Sequence, residues 1–231
     1  MALPAPPARG ARARCRPTAL AGDQSPLPLP DRPRGRSMTL HFDLVRAATA
    51  WLEASQDPRS FGRTLTVGPP GFEAYARVLT LPDPAHDGQE EADVADEVFD
   101  AAPVESDVVV ETVELLAAGS GLDDLRFLMW DGYPYDPALP AVDRIDLMRL
   151  RSCAMATGSL ADFRTWTTSG RERHFPPAFV WPTDRSWCVA YDVDSHFAGV
   201  AGTVDAIERV VAESKHPVVR DDRRVIPAMY H

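Results

Sequence analysis

Apolar residues first recur at helical spacing at Phe42, Val45, Ala48, Trp51 and Leu52. That spacing predicts a helix over about 40–54, with Asp43 well placed in its first turn. Gly68-Pro69-Pro70-Gly71 marks a turn. A short apolar run from Tyr75 to Leu81, closed by Pro82 and Pro84, then predicts a strand near 74–81. Val108, Val109, Val113, Leu115 and Leu116 restore a helical period and predict a helix near 108–118, with Gly119 as its stop. The Val108-Val109-Val110 run leaves a strand as the alternative there.

The second half changes period. Phe127 to Trp130 is an apolar run ended by Asp131-Gly132, within a strand near 125–130. Further strands are expected near 147–156, 177–182 and 186–194. In the last of these, Trp187, Val189, Tyr191 and Val193 alternate with Cys188, Ala190, Asp192 and Asp194. A helix near 203–214 follows, with Thr203 as N-cap, Asp205 in the first turn, and Val204, Ile207, Val210 and Val211 as its apolar stripe. Val218 to Val225 reads as a short edge strand. The pattern as a whole is α+β: a mostly antiparallel sheet with about three helices packed on it.

Two stretches stand outside the pattern. Residues 83–107 carry Glu90, Glu91, Asp93, Asp96, Glu97 and Asp100 and read as an acidic loop with a short helix at 90–99. Residues 1–37 hold eight prolines and seven arginines without apolar periodicity, the composition of a disordered extension. Met38 reads as an alternative start. A single domain over 38–231 is therefore expected.

Charge sharpens this division. The 231-residue chain has a net charge of −10, yet residues 1–37 hold seven Arg against Asp23 and Asp31. Residues 38–231 are left with 17 basic and 32 acidic side chains, a balance of −15. Such a domain repels phosphate backbones, so no nucleic-acid partner is expected. No apolar run reaches the length of a membrane span, and no membrane partner is expected. A soluble, cytoplasmic protein follows. Cys15, Cys153 and Cys188 form no C-x-x-C pair, which points to neither a disulfide framework nor a zinc site; Cys15 sits in the extension, and Cys153 and Cys188 read as small buried hydrophobes.

Candidate chemistry is sparse. The chain lacks G-x-x-x-x-G-K-[ST], G-x-G-x-x-G, H-E-x-x-H and G-x-S-x-G. Asp192, Asp194 and His196 would share one face of an extended strand, where two carboxylates and an imidazole could ligate a divalent metal or share a proton. The same spacing also describes the solvent face of a strand entering a loop. Gly199-Val200-Ala201-Gly202-Thr203 reads as a glycine-bearing loop before a helix, able to bind an anion or simply to turn. Aromatic residues are dense: Trp130, Tyr133, Tyr135, Trp166, Phe175, Phe179, Trp181 and Trp187. Tyr133 and Tyr135, in a Gly/Pro loop beside Trp130 and Asp131, are the expected exposed recognition surface.

The segments Leu125-Arg126-Phe127-Leu128-Met129-Trp130-Asp131-Gly132-Tyr133 and Pro177-Ala178-Phe179-Val180-Trp181-Pro182-Thr183-Asp184-Arg185-Ser186-Trp187-Cys188-Val189-Ala190-Tyr191-Asp192-Val193-Asp194 resemble a family of conserved actinobacterial proteins of no established activity. Members share a W-x-G-W/Y strand-turn, a W-P-x-D-R-x-W-C-V-A strand pair, a glycine loop and a final helix. The chain departs from that pattern at Pro134 and in the acidic stretch 83–107. It is also similar in composition to SMI1/KNR4-type immunity proteins. Neither resemblance implies a catalytic residue or a cofactor. The expected function is a non-enzymatic module that binds a protein partner. The alternative is a metal- or anion-dependent hydrolase or transferase centred on Asp192, Asp194 and His196.

Overall fold

The computed structural model describes residues 40–43, 45–54, 61–135, 138–147, 150–168, 174–222 and 224–231. The extension 1–37 and the candidate start at Met38 lie outside them. In chain order the elements are β1 (His41–Phe42), α1 (Arg46–Ala54), α2 (Phe61–Thr66), β2 (Ala74–Leu79), a 3-10 turn (Glu91–Asp93), α3 (Asp96–Asp100), α4 (Glu105–Ser120), β3 (Leu125–Trp130), β4 (Arg144–Leu147), β5 (Arg151–Gly158), α5 (Leu160–Thr167), β6 (Phe179–Pro182), β7 (Trp187–Ala190), β8 (Phe197–Gly202), α6 (Val204–Glu213) and β9 (Val218–Asp221).

The described strands form one sheet in the order β1-β5-β3-β6-β7-β8-β2-β9, and every pairing is antiparallel. β4 joins the same side of β5 as β1, pairing Arg144 with Ala154 through Leu147 with Arg151. The α+β expectation holds.

Helices cover both faces. Val108, Val109, Val113 and Leu116 of α4, Phe163 of α5, and Ile207 and Val210 of α6 pack with Phe127, Val180, Trp187, Val189 and Val200 on one face. Leu52 of α1 and Phe61 and Leu65 of α2 pack with Leu128, Phe179, Trp181, Cys188 and Ala201 on the other. Strands covered on both sides need no polar face. Accordingly every residue of β6, β7 and β8 is buried. Cys188 of β7 and Cys153 of β5 are both buried, and burial pushes the Cys153 thiol up to about 12. They serve as small apolar side chains.

Several boundaries differ from expectation for local reasons. The chain enters as β1 before α1, so the helix begins at Arg46 rather than near residue 40. α4 runs through Gly119 to Ser120 and stops where Gly121 takes a left-handed conformation (φ 68°). The strand expected at 147–156 spans the end of β4 and most of β5, two arms of a hairpin. α5 was not foreseen. Its start is fixed by a capping box, in which the Ser159 hydroxyl accepts the Asp162 N–H and the Asp162 carboxylate accepts the Ser159 N–H.

The largest correction concerns Gly199 to Gly202. These residues are not a loop at a helix N-terminus; they lie within β8, paired with β2 on one side and β7 on the other. Gly199 sits under the last turn of α2. A Cβ there would meet the Thr66 carbonyl oxygen at 2.2 Å and the Val67 Cα at 2.6 Å. Glycine is required for this close approach of two backbones rather than for a turn. Thr203 does cap α6, its hydroxyl accepting the Ala206 N–H.

Candidate functional site

Strands β2, β3 and β7 run parallel to one another through their antiparallel neighbours, so their C-terminal ends share one edge of the sheet. Three connections gather there: the aromatic turn after β3, the acidic stretch after β2, and the turn between β7 and β8.

The aromatic turn folds inward. Tyr133 and Tyr135 are each only 8% exposed, which corrects their expected place on an exposed recognition surface. The Tyr133 ring stacks on Phe175 at 4.4 Å and meets Trp130 edge-on at 4.8 Å. Tyr135 packs against Trp166 and His174. The fold-back starts with the Tyr133 N–H donating to the Trp130 carbonyl. Gly132 permits it, since a Cβ at that position would lie 2.3 Å from the Trp130 indole. Burial pushes the Tyr133 hydroxyl above the usual phenol range, with the Asp192 charge adding to it. Trp130 lies beneath the Arg151 guanidinium (3.9 Å), and Asp131 pairs with Arg144 at 3.2 Å. The four residues expected to bind a partner are thus bound to this chain's own core and to its own arginines.

Asp192, Asp194 and His196 do not form one face, because β7 ends at Ala190 and residues 192–195 turn. Asp192 accepts a hydrogen bond from Arg151 at 2.6 Å and from the Val193 N–H at 2.9 Å. Burial still holds its carboxyl above the ordinary carboxylate range, against the pull of Arg151. Ser195 closes the turn, its hydroxyl proton shared between the Asp192 and Phe197 carbonyls at 2.9 and 3.0 Å. His196 turns to a different partner, the Asp83 carboxylate, 3.0 Å from its Nε2. Among the described residues no group of three His, Cys, Asp or Glu side chains is disposed to hold a metal ion.

Asp83 is itself gripped by Arg77 through two bonds of 2.5 and 3.0 Å. Burial alone would raise the Asp83 pKa, but the bonds from Arg77 and His196 outweigh it and bring it below the ordinary range. For His196, burial dominates and lowers its pKa despite Asp83. The imidazole is therefore neutral at pH 7. Its Nε2 proton goes to Asp83, and Nδ1 is left as a bare acceptor. That nitrogen is buried and finds no hydrogen-bond partner among the described residues.

His196 lines a cleft of about 280 Å3 between this turn and the 91–105 stretch. Its walls include Leu81, Phe99, Pro103, Val104 and Val193, and its carboxylates are Glu91, Glu105 and Asp194. Phe99 is 38% exposed, Val104 50% and Val193 43%, so a third of the large exposed apolar side chains among the described residues meet at this one cleft. No Arg or Lys lines it, and among the described residues none pairs with the three carboxylates. Glu105 does accept a hydrogen bond from the Tyr191 hydroxyl. The acidic composition of 83–107 was legible in the sequence; its meeting with the 193–196 turn required the strand order.

A larger groove of about 630 Å3 lies between α4, α5 and the end of α6. There Glu111 pairs with Lys215 and His216, Glu114 pairs with Arg164, and Asp123 accepts the Leu160 N–H. Its charges already have internal partners. The smaller cleft, whose carboxylates pair with no cation among the described residues, is the stronger candidate.

No protein-family model, curated protein or solved structure matches the chain.

Proposed function

We propose that the protein is a non-enzymatic module that binds a protein partner through the acidic, half-apolar cleft beside the β7–β8 turn. The observation that carries this reading is the meeting of Phe99, Val104 and Val193, all exposed, with three carboxylates that pair with no cation among the described residues. Exposed apolar side chains rimmed by charge are the composition of a recognition surface. The acidic balance of residues 38–231 would speed encounter with a basic partner and make association fall with salt.

The hydrolase or transferase reading needs Asp192, Asp194 and His196 to converge on a substrate. Asp192 is engaged with Arg151 and His196 with Asp83, so binding ranks first.

The test is affinity capture with the full chain at several salt concentrations, read by mass spectrometry and repeated with two variants. Phe99→Asp/Val193→Asp should lose a stoichiometric partner that the parent captures. Leu150→Asp, a change at another exposed apolar residue, should keep it. Equal capture by all three proteins rules the cleft out as the docking surface.

A further inference from the structure

The cleft's chemistry narrows what can occupy it. This step rests on the protein-binding reading above and names the partner's chemistry. An uncharged apolar segment would satisfy Leu81, Phe99 and Val193 but leave Glu91, Glu105 and Asp194 partly desolvated without a counter-charge, which disfavours binding. An anionic segment would meet those three carboxylates directly. A cation on an aliphatic stem fits every wall. Its methylenes lie along apolar side chains while its head reaches the carboxylates. Phe99, 38% exposed on the cleft wall, is an aromatic ring that the same charge can pack against. His196, 6% exposed, lines the same cleft, and its Nδ1 finds no hydrogen-bond donor among the described residues, so a cation that reaches it brings the missing N–H. A divalent metal is the poorer match, because no three ligating side chains among the described residues are gathered to hold one.

We propose that the cleft between the β7–β8 turn and residues 91–105 receives the side chain of an arginine or lysine presented by a partner protein, held by Glu91, Asp194, Phe99 and His196. The volume of about 280 Å3 admits one such side chain rather than a folded element. The partner therefore inserts a single anchor.

The probes are Nα-acetyl-arginine amide and Nα-acetyl-lysine amide, with Nα-acetyl-citrulline amide as the uncharged isostere of arginine. Each is titrated into the full 15N-labelled chain, and backbone amide shifts are followed. The expected result is saturable shifts for residues 193–196 and 99–105 with arginine or lysine amide, and none with citrulline amide. Glu91→Gln/Asp194→Asn, checked by an otherwise unchanged amide spectrum, should weaken the effect about tenfold, the loss of two charge pairs. Absence of saturable shifts in those segments, or equal binding of citrulline amide, overturns the inference. The captured partner separates this inference from the reading beneath it. If Glu91→Gln/Asp194→Asn keeps the partner while Phe99→Asp/Val193→Asp loses it, the cationic anchor is wrong and the docking surface stands. If both variants keep the partner, both readings fall.

Discussion

The turn after β3 and the turn between β7 and β8 leave the same end of one sheet and use similar local sequence in opposite ways. The first, Trp130 to Tyr135, carries Asp131, Gly132 and Pro134, residues that mark a solvent-facing loop. It folds its aromatics into the core. The second, Tyr191 to His196, alternates apolar and polar residues as a strand does. It turns, and it exposes Val193 and Asp194. Arg151 joins the two, lying over the Trp130 ring while it pairs with Asp192. The difference lies in what each turn meets in space. Phe175, Trp166 and His174 surround the first, whereas the second faces an acidic stretch that offers it no cation.

Removing the aromatics tests the first half of this contrast most severely. Tyr133→Ala/Tyr135→Ala should lower stability by about 4 kcal/mol or more, as for large side chains cut from a packed core. Urea denaturation measures it, and a loss within about 1 kcal/mol would return the turn to the surface. Gly132→Ala should cost about 1–3 kcal/mol, because its Cβ displaces the Trp130 indole. A neutral result in the same assay would mean that the indole moves freely.

The second turn should respond to pH. In the folded chain His196 titrates below its ordinary value of 6.5, so the unfolded chain takes up its proton first as pH falls. Stability is then complete above about pH 6.5 and declines below it, by at most about 1.4 kcal/mol per pH unit for one proton. Asp83, also held low, extends the loss to pH values below 3.8. Asp192 is shifted the other way and opposes that acid loss. Midpoints measured between pH 7 and pH 5 should fall less for His196→Asn than for the parent. Parallel lines would assign the acid sensitivity to other groups. Smallest of all, Val193→Ser and Phe99→Ser should each change stability by about 0.5 kcal/mol or less, as expected at an exposed site. A loss several times larger would make the cleft part of the core.

The strands were legible where apolar runs were bounded by Pro or Gly, as at Tyr75–Leu81 and Phe179–Pro182. They were not legible at β8, where Phe197-Ala198-Gly199-Val200-Ala201-Gly202 is buried on both faces and so shows no alternation. Its glycines imitate a loop because the reason for them, the α2 backbone above Gly199, lies more than 130 residues away in the chain. The α5 capping box was written in Ser159 and Asp162 and could have been found. For the cleft, the carboxylates were visible, and so was His196. What the sequence could not show is that Asp192 and His196 point to different partners, Arg151 and Asp83, because that depends on which strands lie side by side.

The strand order also bears on how the chain is made. β2 is an early strand, yet its two neighbours are β8 and β9. While the chain is being synthesised, Ala74 to Leu79 has no strand to pair with until residues beyond 197 follow. Closing that long loop is entropically slow, and non-local pairing of this kind delays folding. A nearly all-buried segment with both edges open is meanwhile exposed to other nascent chains. The last fifth of the chain thus decides whether β2 finds its own partners or someone else's.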